Sequence, residues 1–260
     1  MSKGKMTHLV LGLAALAMFA FGQTAQDHIR AGDEAYARFD DAAALEAYQA
    51  AAGLEAGNYE ALWKLSRANV DVADLMDVKA AGAAEAQKKM YVQAESLAKK
   101  AIAANPDDTW GYFSLSAAMG KRLLLLGKKE QIDGSKAVRA AIDKALALDP
   151  ANDLAWHALG RWHRRIAEIS GAKRFFGSII YGSIPKGSFE ESAKSLEKAV
   201  ELKPDYVNHR LELGLTYVAL KKPDLAAAEF QKALDLPKSS SKDDMLKAQA
   251  QTELAGLKKK

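Results

Sequence analysis

Cysteine does not occur anywhere in this chain. That absence excludes disulfides, thiol catalysis and cysteine-ligated metal sites, so the fold must be held by packing alone. Proline is scarce, with 6 in 260 residues, and β-branched runs are few. Alanine, the best helix former, supplies much of the 49% apolar content, so an all-helical class follows before any motif is read. A strong excess of one charge is also missing: 37 Lys and Arg face 33 Asp and Glu. Without Lys3 and Lys5 the balance is 35 to 33, and nothing in it points to nucleic acid, which needs a clustered basic face. Nucleophile–base sets, paired-carboxylate motifs and glycine-rich phosphate loops after a strand are absent as well. The sequence therefore offers no catalytic residue, no cofactor site and no metal site.

The one long apolar run lies at the start. Lys3 and Lys5 form a basic region, Leu9 to Phe21 is apolar, and Ala20-Phe21-Gly22 places small residues at −3 and −1 of a cleavage point. This pattern predicts a Sec-type signal peptide over residues 1–22, a mature chain beginning near Gln23, and a periplasmic or secreted protein. Thirteen apolar positions are short for crossing a bilayer. The alternative is retention by an uncleaved N-terminal anchor; with no Cys after the run, a lipoprotein anchor is excluded.

What is present is a spacing. Ala51, Ala101, Ala145, Ala199 and Ala233 each close an Ala-rich helical pattern, and after the first four a small residue follows 15 positions on: Ser66, Ser116, Gly160 and Gly214. From Gly32 and these four small residues to the next closing Ala the distance varies: 19, 35, 29, 39 and 19. A constant link alternating with an elastic one describes stacked helical hairpins whose insertions all fall at the turn between first and second helix. In the two short repeats an Ala stands twelve positions after the small residue (Ala44, Ala226) and an aromatic four further on (Tyr48, Phe230), so the small residue lets the helices approach and the aromatic fills the gap. Pro106, Pro150 and Pro204 then stop second helices. The predicted hairpins cover residues 28–57, 58–106, 107–150, 151–204 and 205–237 of a solenoid over 23–237. A polar linker and a capping helix from Asp243 to Leu257 complete residues 238–260. In the second repeat the helical spacing runs from Val70 to Met90 with a break at Gly82; in the third, Lys121 to Leu126 extends the first helix and Gly127 reads as its C-cap.

Over about residues 28 to 237 the pattern resembles the tetratricopeptide repeat. The best match is Asp149-Pro150-Ala151-Asn152-Asp153-Leu154-Ala155-Trp156-His157-Ala158-Leu159-Gly160, which carries the Pro, Trp, Leu and Gly of that family at its spacing. The resemblance implies a right-handed α-solenoid of about five hairpins that binds a protein or peptide in the groove lined by first helices. The unequal middle repeats are more specific. Leu62-Trp63-Lys64-Leu65-Ser66-Arg67-Ala68, Gly120-Lys121, Leu159-Gly160-Arg161-Trp162 and the stretch to Pro185 and Ser188-Phe189-Glu190-Glu191 resemble the regulator of microtubule dynamics family over about residues 58 to 204. Eukaryotic members of that family associate with microtubules or organelle membranes. The export signal argues for taking the fold from this resemblance and not the cellular role.

Arg67, Asn69, Tyr112 and Arg161 are the expected groove-facing contacts. A second candidate surface is the longest insertion, where Arg164, Arg165, Lys173, Arg174 and Lys186 are interleaved with Ile166, Ile169, Phe175, Phe176, Ile179, Ile180 and Tyr181. Basic and apolar side chains together suit a partner helix, an anionic lipid surface or an acidic protein; the alternative is that the aromatics fold over the array and the charges face water. A lipid or small ligand held between the elongated middle hairpins is the rival to peptide binding. Trp156 and Trp162 are expected in the core, with Trp156→Ala costing ~3–5 kcal/mol. His157 and His163, six apart on one helix, are expected to be exposed or capping rather than a zinc pair. Asp71, Asp74 and Asp77 are expected to form a solvated acidic stripe on one helical face.

Overall fold

The computed structural model describes residues 23–169 and 184–257. Every regular element among them is a helix, and the helices pair as hairpins in chain order. The first repeat is α1 (Ala25–Ala37) and α2 (Asp41–Leu54), and the second is α3 (Tyr59–Asp74) and α4 (Ala83–Ala104). Then come α5 (Thr109–Leu123) with α6 (Lys128–Leu148), and α7 (Asp153–Ala167) with α8 (Phe189–Leu202). The last hairpin is α9 (Val207–Ala219) and α10 (Pro223–Asp235), followed by α11 (Asp243–Leu257). The architecture is an α-solenoid of tetratricopeptide type.

Local chemistry sets the helix starts. Thr24 and Asp27 form a reciprocal capping box on α1, and Asp40, Asn58, Asp108, Asn152 and Ser188 each accept a hydrogen bond from a first-turn amide of the helix they open. Each of α4, α6 and α8 ends two residues before a proline.

The close approach inferred from spacing is real. A Cβ added to Gly32 would lie 2.4 Å from the Tyr48 ring, one at Gly214 2.5 Å from the Phe230 ring, and one at Gly160 2.5 Å from Leu196. Tyr48, Phe230 and Leu196 are fully buried. At the second repeat the small residue is Ser66, whose Oγ donates to the Ala94 carbonyl at 2.8 Å across the hairpin. Stacking of Trp63 on Trp110, centroids 5.0 Å apart, ties the second repeat to the third. At the far end Ala250 and Leu254 of α11 complete the cluster built on Leu211, Leu213 and Phe230, so α11 covers the last hairpin's open face.

Three local expectations change. Helix α3 stops at Asp74, and Leu75 to Gly82 is an irregular connection before α4, with Gly82 in the left-handed region at φ 77°. Gly127 is not the C-cap of α5, which ends at Leu123; it is the extended N-cap residue of α6. Trp156 is only half-buried, its indole N–H donating to the Pro150 carbonyl at 2.8 Å, whereas Trp162 is buried and donates to the Ser135 carbonyl at 2.8 Å. Indole burial thus belongs to the second tryptophan, because its face of α7 meets α6.

Candidate functional site

The first helices contact one another in succession, α1 with α3, α3 with α5, α5 with α7 and α7 with α9, and charged side chains pair along this inner side. On α3, Arg67 and Asp71 are four apart and Asp74 three further, so all three share a face. The Arg67 guanidinium stacks over Tyr36 of α1 at 4.0 Å. Asp74 receives Lys121 of α5 at 2.6 Å and the Tyr91 hydroxyl at 2.8 Å. Farther along, Glu212 of α9 takes Arg161 of α7 at 3.1 Å and also pairs with Arg164. Burial alone would raise the Glu212 carboxyl, but Arg161 and Arg164 outweigh it and hold the group below its ordinary value. Arg165 is exposed; partial desolvation, then the Arg161 charge, lower its pKa.

The C-terminal linker enters this same face. Lys242 Nζ lies 2.8 Å from Asp71 Oδ1 and 3.1 Å from Asp74 Oδ2. Ser241 Oγ donates to the Asp41 carboxylate, and Lys238 Nζ sits 5.7 Å from the Phe39 ring centroid. Burial would lower the Lys242 pKa, yet Asp71 and Asp74 carry it well above the ordinary lysine value. The linker therefore bridges the end of the array to its first two repeats.

Sequence-chosen residues divide among three places. Arg67, Arg161, Arg164 and Arg165 belong to the inner side of the first helices. Asn69 is buried and spends its side-chain amide on the Leu65 carbonyl at 2.8 Å, leaving that donor unavailable to a ligand. Tyr112 lies apart from Arg67, in a groove of ≈ 550 Å³ formed by α4, α5 and α6 and lined also by Leu115, Met119 and Ala137. Lys144 lies over its ring at 5.8 Å. Arg174, Phe175, Phe176 and Tyr181 fall outside the described residues.

The histidines expected at the surface are not there. His157 and His163 are both buried. His157 faces α9, where its Nδ1 is 3.0 Å from His209 Nδ1, and His209 Nε2 is 2.8 Å from Asp153 Oδ2. If His209 Nε2–H donates to Asp153, its Nδ1 accepts from His157, so two neutral rings satisfy both contacts. Burial, then the His209 and arginine charges, push His157 well below the ordinary histidine value. Among the described residues no group of three or more His, Cys, Asp or Glu is placed to hold a metal ion. Asp77 is not on the face of Asp71 and Asp74; it lies past the end of α3, accepting from the Lys79 amide at 3.0 Å. Lys242, the central cation of the inner face, escaped sequence reading because its partners are 168 and 171 positions away.

Stacked capped hairpins with a polar inner face define a tetratricopeptide-repeat scaffold. A solved thermophilic tetratricopeptide protein from Thermus thermophilus shares the fold, with TM-score 0.65 at 19% identity over 88% of this chain and all of that one. More specifically, residues 28–258 match the model of the Regulator of microtubule dynamics protein 1-3 family, and the chain belongs to that family. Regulator of microtubule dynamics protein 1 of Bos taurus is 28% identical over 208 residues, covering 79% of this chain and 64% of that protein. Its Caenorhabditis elegans counterpart is 26% identical over 199 residues, 76% of this chain and 84% of its own length. The chain thus spans a little under two thirds of the bovine relative.

Proposed function

We propose that this chain is a non-catalytic scaffold that holds an extended polypeptide segment against the inner face of its first helices. The supporting observation is where polar capacity is left over. Among the described residues, six buried side-chain polar atoms lack a hydrogen-bond partner; Arg67 Nε and Asp71 Oδ2 lie on the inner face of α3, Arg164 Nε on α7, and Asn208 Oδ1 one turn before Glu212 on α9. Buried polar atoms are almost always paired, so four unpaired ones on the first helices mark where side chains would gain partners by turning toward a polar ligand such as a peptide backbone. Double reversal of Arg161→Glu and Arg165→Glu should abolish co-purification of a polypeptide from native extract, while Lys99→Glu on the α4–α6 side should leave it intact. Equal loss, or retention by both, contradicts the reading.

A second reading has its own observation. The ≈ 550 Å³ groove between the elongated middle hairpins combines Leu115, Met119 and Leu123 with Lys144 and with Lys99 and Arg122, which share Glu95, a combination suited to an amphiphile. Lipid extraction of the native protein tests it. The reading includes export directed by residues 1–22 and leaves aside the microtubule regulation for which the relatives are named. An intact mass beginning at Gln23 supports export with cleavage, and one beginning at Met1 contradicts cleavage.

A further inference from the structure

We propose that Asp71 and Asp74 form a subsite that reads a basic side chain of an extended segment, and that residues 238–243 occupy it in cis until a partner brings its own cation. This deepens the inner-face reading above and rests on it. The linker is engaged as a ligand would be. Two of its amides are satisfied within it: Ser239 N and Ser240 N donate to Asp243 Oδ2 at 2.7 and 3.1 Å. It meets the first two repeats through side chains, namely the Lys242 ammonium on two carboxylates, the Ser241 hydroxyl on Asp41 and the Lys238 ammonium beside Phe39. Three such contacts can be exchanged for those of another chain without unfolding a hairpin.

Charge decides what can replace them. Asp74 has Lys121 as a second cation at 2.6 Å, but among the described residues Lys242 is the only cation within salt-bridge distance of Asp71. Asp71 Oδ2 is buried and unpaired even with Lys242 in place, so the site has an acceptor to spare. A buried carboxylate stripped of its cation is strongly unfavourable. A neutral or acidic segment would leave Asp71 in that state, whereas a lysine-bearing one restores the pair. Arg67 and Lys121 already stand beside the two carboxylates, so a cluster of further lysines gains less there than a single one. In cis, Lys242 is followed directly by Asp243 and Asp244. Those two carboxylates are spent within the linker, Asp243 on Ser239 and Ser240 and Asp244 on Lys238, so the partner chemistry that fits is a single lysine in an extended segment.

The test uses the full chain carrying Lys242→Ala and a fluorescent peptide of residues 237–246. Saturable binding to the variant, at least tenfold tighter than to the unaltered chain and lost when the peptide itself carries Lys242→Ala, is expected. A helical variant that ignores both peptides, or binds them alike, overturns the proposal. If the variant loses its helical circular dichroism, recovery by the lysine peptide and not by the alanine peptide is expected, and no recovery overturns it. Failure here with polypeptide capture still abolished by Arg161→Glu and Arg165→Glu removes the lysine subsite alone; failure of both removes the inner-face reading too.

Discussion

At single residues the fold depends on where a methyl group has no room. Gly214 faces the Phe230 ring so closely that a Cβ would meet it at 2.5 Å, whereas a Cβ on Gly53, exposed near the end of α2, meets nothing within 4 Å. The same substitution should therefore have opposite signs. Gly214→Ala is expected to cost ~1–3 kcal/mol by overpacking, and Gly53→Ala to gain up to ~1 kcal/mol from helix propensity; denaturant unfolding of both variants checks the pair. Tryptophans separate similarly. Trp162→Ala should cost ~3–5 kcal/mol, the value for a large-to-small change in a core. Trp156→Ala should cost less, because its indole lies at the edge of the same cluster and is only partly buried. The glycine–aromatic pairs were legible in the sequence because they repeat at fixed spacing. The tryptophan roles were not: Trp156 sits at the repeat's signature position, but which indole is buried depends on how α7 lies against α6.

At the level of elements, hairpin order and helix ends were legible because caps and prolines are local. Turn geometry was less so. Phe39 and Lys221, equivalent residues of the two short repeats, both adopt the left-handed region at φ 63° and 57°. Lys221→Gly is therefore expected to stabilise the chain by about 1 kcal/mol, a typical relief of left-handed strain, read as a raised melting temperature. The buried histidines of α7 and α9 predict a pH dependence. Burial, before any charge, lowers His157, His163 and His209 from the ordinary histidine value of 6.5. As pH falls below that value the unfolded chain takes up protons that the folded chain does not, so this contribution is complete above about pH 6.5 and is lost on acidification. Melting temperature should fall between about pH 7.5 and 5.5, and His157→Gln should shrink the fall; an unchanged fall contradicts the assignment. None of this was legible beforehand, since His157 and His209 are 52 positions apart.

Over the whole molecule the linker closes what a solenoid ordinarily leaves open. Lys242 and Ser241 join the end of the array to the first two repeats. Lys242→Ala is expected to cost ~3 kcal/mol, as for one partner removed from a buried ion pair, and to enlarge the radius of gyration in small-angle scattering. Composition and spacing disclosed the solenoid and its capping helix but gave no hint of this closure, because a polar linker with two lysines looks like any solvated connector. The central claim is that polypeptide is held on the inner face. A photo-crosslinking residue placed at Arg161 or Arg165 on α7, and separately at Lys99 or Lys144 beside the α4–α6 groove, tests it most directly in the native cell. A discrete crosslinked polypeptide is expected from the α7 positions and none from the α4 and α6 positions; crosslinks from the second pair alone would contradict binding on the inner face.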